Sequence, residues 1–476
     1  MARRRPAGLW LLTFALVMFG GQAAVGMRAS TTASVTGDEP FYLVTTQSLL
    51  SDGNLDLRDE YADRSEMDRF WDGTIPLWKQ MEPTASGRLL SPHDPGLAVL
   101  IAPAYAALGL RGAQRFLVVV WAAAMAFGAV LARRAGAPAQ LSVVAAVALG
   151  VGAPGIVYAS QIYPEGPAAL CISIGLLLAT ARVPAAGPPA DRRPAGGDLV
   201  RSVAGSTGMV VVLAVLLWLG VKYLPYALLI GGAWAWRQRL DLRPVGMALV
   251  LAVPLGAHYV WWHLETFGAL VPYASNVVWA GEGTSSILED HLGPSARGYR
   301  LYGLFLDARF GLFRWSPMSL VAVWGITRRT ALHVAVVAVA VLLGTFLSIT
   351  IMGWWFPGRM LVAAFPALVV LVAKGAAGLP RRLAWLLGAW SLAIGGALAW
   401  SARTGAVRLA VDPWTLGVPL PPAWLFPDFR SFSVRQVGLS AAWALVLLAG
   451  WLVMHRRAGL HRSLEAGSEP PVVHPA

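Results

Sequence analysis

The sequence predicts an all-α polytopic membrane protein with about 12 transmembrane helices, plus interfacial helices in the first outer loop. Three observations carry that expectation. Of 476 residues, 57% are hydrophobic and 13% charged, against roughly 25% charged in a soluble domain. Apolar stretches of about 20 residues, long enough to cross a bilayer, recur from end to end. Basic residues cluster between those stretches, as they do in cytoplasmic loops.

The first stretch, Leu9 to Met27, comes after Arg3, Arg4 and Arg5. A basic flank stays inside, so this helix delivers the next segment of chain to the outer face. It begins like a secretory signal, but its apolar run exceeds the usual core of one, and a retained helix is expected. Full spans are expected at 8–27, 115–132, 140–157, 166–182, 203–220, 223–236, 245–262, 311–327, 331–351, 360–379, 383–401 and 436–454. The run Pro95 to Leu110 is short for a span, and charge decides its place. If it crossed, Arg133-Arg134, Arg192-Arg193, Arg237/Arg239/Arg243, Arg328-Arg329 and Arg381-Arg382 would all fall outside. Laid at the outer interface or re-entrant, it leaves every one of them inside, together with His455-Arg456-Arg457, which the positive-inside rule demands.

The net charge of +13 is therefore topogenic, and no nucleic-acid partner is expected. Cys171 is the sole cysteine; it excludes an intramolecular disulfide and reads as a buried small hydrophobe. Residues 183–202, rich in Pro and Gly, read as a flexible cytoplasmic loop. The chain divides into a catalytic membrane domain at 1–401, an outer segment at 402–435, a last span with a basic cytoplasmic end at 436–462, and a disordered tail at 463–476. In the first outer segment Asp52, Asp56, Asp59, Glu60, Asp63, Glu66 and Asp68 interleave with Tyr61, Phe70, Trp71 and Trp78, which suggests short amphipathic helices on the membrane surface. Trp234, Trp236, Trp261, Trp262, Trp279, Trp354, Trp355, Trp400 and Trp451 read mainly as an interfacial aromatic belt.

Five outer features carry chemistry. Asp38-Glu39 comes just after the first helix and precedes Pro40-Phe41-Tyr42; a carboxylate at the low-dielectric boundary can serve as a general base. Ser91-Pro92-His93-Asp94-Pro95-Gly96 opens the interfacial helix, with Asp94 equally suited to an N-cap. Tyr158-Ala-Ser160-Gln161-Ile-Tyr163-Pro164-Glu165-Gly166 stands at the mouth of a span, where Glu165 is either a substrate contact or a helix-dipole partner. Lys222, followed by Tyr223, lies in a very short outer turn, and Arg359 closes Trp354-Trp355-Phe356-Pro357-Gly358. Cations on the side that lacks topogenic charge suit a phosphate. Nothing matches a Walker loop, a His-based zinc motif or a Cys pair.

In their order and common sidedness these features resemble the GT-C superfamily of polytopic glycosyltransferases, nearest the protein O-mannosyltransferases and the lipid A aminoarabinose transferases. The likeness rests on Gly37 to Tyr42, His93 to Gly96 (with one proline of the family element replaced), Lys222 to Pro225 and Gly358 to Pro366, across about residues 8–400. It implies transfer of a sugar, with inversion, from a polyprenyl-phosphate donor to an acceptor hydroxyl or phosphate at the outer face of a plasma or inner membrane, the N-terminus being cytoplasmic. Membrane lipids, the lipid-linked donor and a protein, glycolipid or glycan acceptor are the implied partners. Asp38 would be the general base or an acceptor-orienting acid, with Glu39 assisting, and Lys222 and Arg359 would neutralise the departing phosphate. Tyr42, His93, Asp94, Tyr163, Glu165 and Tyr223 would line the substrate. Some members use a divalent metal, which Asp38 and Glu39 could ligate. The competing readings are a transporter or lipid-linked sugar flippase, disfavoured because charge is scarce inside the spans, and a polymerase or assembly protein whose late outer loop would dominate.

Overall fold

The computed structural model describes residues 6–65, 67–74, 76–84, 86–181, 196–239, 241–272, 297–348, 351, 353, 355–429 and 433–466. The expectations placed on Glu66, Arg192-Arg193, Trp279, Trp354, most of the 183–202 loop and residues 467–476 lie outside them. The described residues form an all-helical bundle in which seven helices are long and apolar enough to cross a membrane. They are Ala7–Ala24, Gly96–Arg134, Ser202–Leu219, Arg243–Phe267, Arg328–Leu347, Arg381–Arg403 and Val434–Met454.

The described residues do not confirm the count of twelve full spans. Three expected spans fall on shorter apolar helices, Ala139–Val151, Glu165–Ala179 and Phe365–Ala376. At 1.5 Å per residue these reach only about 20 Å, less than the ~30 Å hydrocarbon core. The expected 223–236 span is the 14-residue helix Leu224–Arg237. The expected 311–327 span is instead the single turn Leu312–Trp315 followed by the 3-10 helix Pro317–Gly325. A 3-10 helix rises about 2 Å per residue and so covers more depth with fewer residues. Its backbone lies directly on the helix Phe365–Ala376: a Cβ on Gly325 would stand 1.9 Å from the Leu371 carbonyl, and one on Gly375 1.9 Å from that of Val321. Small residues that let backbones touch are the usual glue between membrane helices.

Gly96–Arg134 is central. It packs on Pro6–Gly21, Glu39–Ser51, Ala139–Val151, Glu165–Ala179 and Phe365–Ala376. The segment consists of two helices joined at a break, because Leu108 and Gly109 leave helical geometry. Gly109 takes φ +60, ψ −153, a region open to glycine alone. The portion before the break lies against the helix Glu39–Ser51 and the helix ending at Leu219: the Thr46 hydroxyl approaches the Ala98 carbonyl, and Gly96 abuts the Trp218 carbonyl. The amphipathic helices expected in the first outer loop take the form of the five-residue helix Arg58–Ala62 and the 3-10 turn Met67–Arg69.

The described basic clusters share one end of the bundle. Arg134 donates to the Leu177 carbonyl, Arg237 to that of Ala181 and Arg381 to the Gln140 side chain. The other end holds the starts of Glu39–Ser51, Glu165–Ala179, Leu224–Arg237 and Arg359–Val362, with the 3-10 turn Val221–Tyr223 beside them.

Candidate functional site

Four charged side chains from four separate stretches meet at that second end. Each stands at or just before the start of a helix. Asp38 is the N-cap residue of Glu39–Ser51. Glu165 opens its helix behind Pro164. Lys222 sits in the 3-10 turn that leads into Leu224–Arg237. Arg359 opens Arg359–Val362 behind Gly358, whose φ of +85 makes the sharp turn possible at a position hostile to a side chain.

Arg359 is the hub. Its Nη2 lies 2.7 Å from Asp38 Oδ2 and its Nε 3.0 Å from Glu165 Oε1. Lys222 Nζ reaches the same Glu165 oxygen at 3.0 Å. The guanidinium stacks over the Tyr163 ring at 4.0 Å and lies 5.3 Å from Trp355. A buried arginine held between two carboxylates and an aromatic face is fully compensated. The second Glu165 oxygen and the Tyr223 hydroxyl are buried with no hydrogen-bond partner among the described residues. Buried polar atoms left over in this way are exceptional in folded proteins, and here they border the cation pair.

The two adjacent acids have different fates. Burial pushes Asp38 up, but the opposing charges of Arg359, then His93 and Lys222, bring it down to about 2. Its side chain keeps 23% exposure, while its Oδ2 meets Arg359 and its Oδ1 lies towards His93. Glu39 is turned inward and 1% exposed. Its Oε2 accepts the Thr36 N–H at 3.0 Å and its Oε1 the Ile162 N–H at 2.9 Å. Burial outweighs both donors and raises it to about 7. A metal clasped jointly by Asp38 and Glu39 does not fit this donor set: the Glu39 oxygens are taken by backbone amides, and Arg359 occupies the cation position beside Asp38. Glu39 instead ties the first outer turn to the 158–165 turn, and the Tyr163 hydroxyl adds a second tie by donating to the Thr36 carbonyl at 3.2 Å.

The remaining expected residues lie in two shells around this cluster. His93 Nε2 stands 4.0 Å from Asp38 Oδ1, and its ring stacks on Tyr42 at 4.7 Å. Burial first, then the nearby cations, lower His93 to about 4, so it is neutral at pH 7. Tyr223 lies beneath the Lys222 ammonium at 5.2 Å. Asp94 points elsewhere: its Oδ1 meets His263 Nε2 at 2.8 Å, and its Oδ2 accepts the Val221 N–H at 3.4 Å. Through that bond it steadies the turn carrying Lys222.

Sequence reasoning missed His263, which is fully buried. A histidine one residue past an apolar span was the available signal. Tyr158, at the head of the stretch that holds Tyr163 and Glu165, donates its hydroxyl to the Phe356 carbonyl beside Arg359.

Among solved structures the chain is similar to ArnT from Cupriavidus metallidurans in the apo state. The two share 17% identity over 94% of this chain and 72% of that chain, with a TM-score of 0.47. No sequence family and no curated protein matches the chain.

Proposed function

We propose that this chain is a membrane glycosyltransferase of the GT-C type, moving a sugar from a polyprenyl-phosphate donor to an acceptor hydroxyl or phosphate at the outer face. The observation that carries this reading is Arg359, held between Asp38 and Glu165 with Lys222 alongside. Two cations that share carboxylates at a membrane-end cluster form a seat for a phosphate, and the partly exposed acid beside them is suited to take a proton.

In the resting arrangement Asp38 is ionised, but Arg359 occupies one of its oxygens. A donor phosphate that engages Arg359 and Lys222 loosens that ion pair and raises the basicity of Asp38. With a hydroxyl acceptor, Asp38 takes the proton as the acceptor oxygen bonds to the anomeric carbon. The bond from that carbon to the phosphate oxygen breaks on the opposite face, which inverts the centre. The electron pair leaves with the lipid phosphate, whose added charge Lys222 and Arg359 stabilise. Neutral His93 can pass the proton on, and Tyr42, Tyr163, Tyr223 and Trp355 offer faces for a sugar ring. Glu39 assists by fixing the turn that bears Asp38. No step requires a metal between the two acids.

The topology belonging to this reading has a cytoplasmic N-terminus, the catalytic domain at 1–401 and the acceptor surface at 402–435. That last segment is fastened to the first outer loop, where Ala410 N–H donates to the Ala29 carbonyl at 3.0 Å, and Arg403 donates to Ala23 and Val25.

The test is incubation of nanodisc-held protein with a panel of labelled polyprenyl-phosphate sugars, wild type beside Asp38→Asn. Loss of sugar from one lipid in the wild type alone is expected. Accumulation of an intact lipid-linked sugar across sealed vesicles, with no covalent product, would replace this reading with transport.

A further inference from the structure

A second acidic group lies at the far end of the helix that Asp38 begins. Asp52 caps the C-terminus of Glu39–Ser51, and Asp59 and Glu60 belong to the short helix Arg58–Ala62. One carboxylate oxygen from each of the three lies within 4.8 Å of the others. Acidic clusters on exposed loops are common, and this one would carry nothing were Glu60 exposed too. Glu60 is 4% exposed, and neither of its carboxylate oxygens has a hydrogen-bond partner among the described residues. The neighbouring Ser48 hydroxyl lies 3.1 Å from the Asn54 carbonyl and donates to it. Arg58, the adjacent cation, is bonded to Asp56, and no described ion pair involves Asp52, Asp59 or Glu60.

A buried carboxyl with no hydrogen bond within 3.5 Å, set beside two further carboxylates, must be neutralised by something. Burial and then the neighbouring Asp59 raise Glu60 to about 8, so a proton is one means of neutralising it. A cation is the other, and the surroundings favour it. Three carboxylates outweigh one shared proton in charge. The C-terminal end of Glu39–Ser51 adds the negative end of its dipole. Asp52 and Asp59 are exposed and leave room for water to complete a coordination shell.

We propose that Asp52, Asp59 and Glu60 form a calcium site. All three ligands are hard oxygens, with no imidazole or thiolate, which suits calcium over zinc or copper. The loose geometry of two exposed ligands suits calcium over the stricter octahedron of magnesium. Bound there, the ion would pin the end of the helix begun by Asp38 to the 58–62 helix and stiffen the first outer loop. The site stands apart from the transferase reading, and its test reads binding and stability without turnover.

The full-length protein in zwitterionic-lipid nanodiscs would be titrated with CaCl2 by calorimetry, and with TbCl3 by luminescence sensitised through the adjacent Tyr61. One saturable site is expected, together with a melting temperature that rises on adding CaCl2. Affinity is expected to fall roughly 10-fold or more in Glu60→Gln and in Asp52→Asn. Asp52 is exposed, so its variant separates ligand loss from misfolding. Wild-type protein that shows no saturable calcium or terbium signal would overturn the site, as would unchanged affinity in Asp52→Asn. A Glu60→Gln variant that melts higher by the same amount with and without CaCl2 would assign the cluster to a shared proton alone.

Discussion

At one end of the bundle Asp38, Glu165, Lys222 and Arg359 arrive from four stretches of chain and neutralise one another at 2.7 to 3.0 Å. At the other end Arg134, Arg237 and Arg381 are exposed and donate to the Leu177 and Ala181 carbonyls and to Gln140. Both ends carry arginine, yet the chemistry differs. Leu177 lies in the last turn of its helix, where carbonyls lack partners and the dipole is negative. Arg134 and Arg237 there donate to chain carbonyls while keeping contact with water. Arg359 is withdrawn from water, and that is tolerable only because two carboxylates and an aromatic ring replace the lost hydration. A buried ion cluster whose members remain individually poised is where a charged substrate can exchange with internal partners.

The sharpest way to break this contrast is Arg359→Ala. It strips the proposed phosphate seat, removes the ion-pair partner of Asp38 and leaves Glu165 with Lys222 alone, so transfer is expected to fall by about 10³-fold or more, with destabilisation of roughly 3–5 kcal/mol. Chemical denaturation beside turnover checks both; an active and stable variant would erase the distinction between the two ends. Asp38→Asn comes next. Loss of a general base costs about 10²–10⁴ in rate, here with little change in melting, because the side chain is partly exposed and its shape is kept.

Glu39 sharpens the comparison through pH. Its carboxyl stands at about 7 when folded, against an ordinary 4.5, so the folded state favours the neutral form. Its stabilising effect is complete below pH 4.5 and is lost as pH rises through 7, by on the order of 3 kcal/mol. Denaturation midpoints across that window are expected to slope downward in the wild type and to flatten in Glu39→Gln. The smallest effect belongs to the other end: Arg381→Ala is expected within about 0.5 kcal/mol of wild type, with unaltered turnover.

Much of this was readable in the linear chain. Apolar runs locate the helices because bilayer thickness imposes a length, and Arg pairs at alternate loops place those helices with respect to one another. Asp38-Glu39, Lys222 and Arg359 were conspicuous because charge on the side without topogenic residues requires a reason. The stretch 311–327 read as a plain span since hydropathy cannot distinguish an α-helix from a 3-10 helix. That choice came from Gly325 and Gly375, which bring two backbones into contact. Likewise the pair Asp38-Glu39 looked like one functional unit, whereas neighbours at a helix start point in different directions.

The helical class, the clustering of charge between apolar runs and the candidate residues were all legible in the linear chain, because they stem from local composition and the bilayer's length scale. Tertiary structure alone decided the partners. Arg359 and Asp38 are 321 residues apart in the chain, and His263 and Asp94 are 169 apart. Only the packing of helices settles which buried charge finds which opposite charge, since the cost of leaving any of them unpaired is felt only once water is excluded.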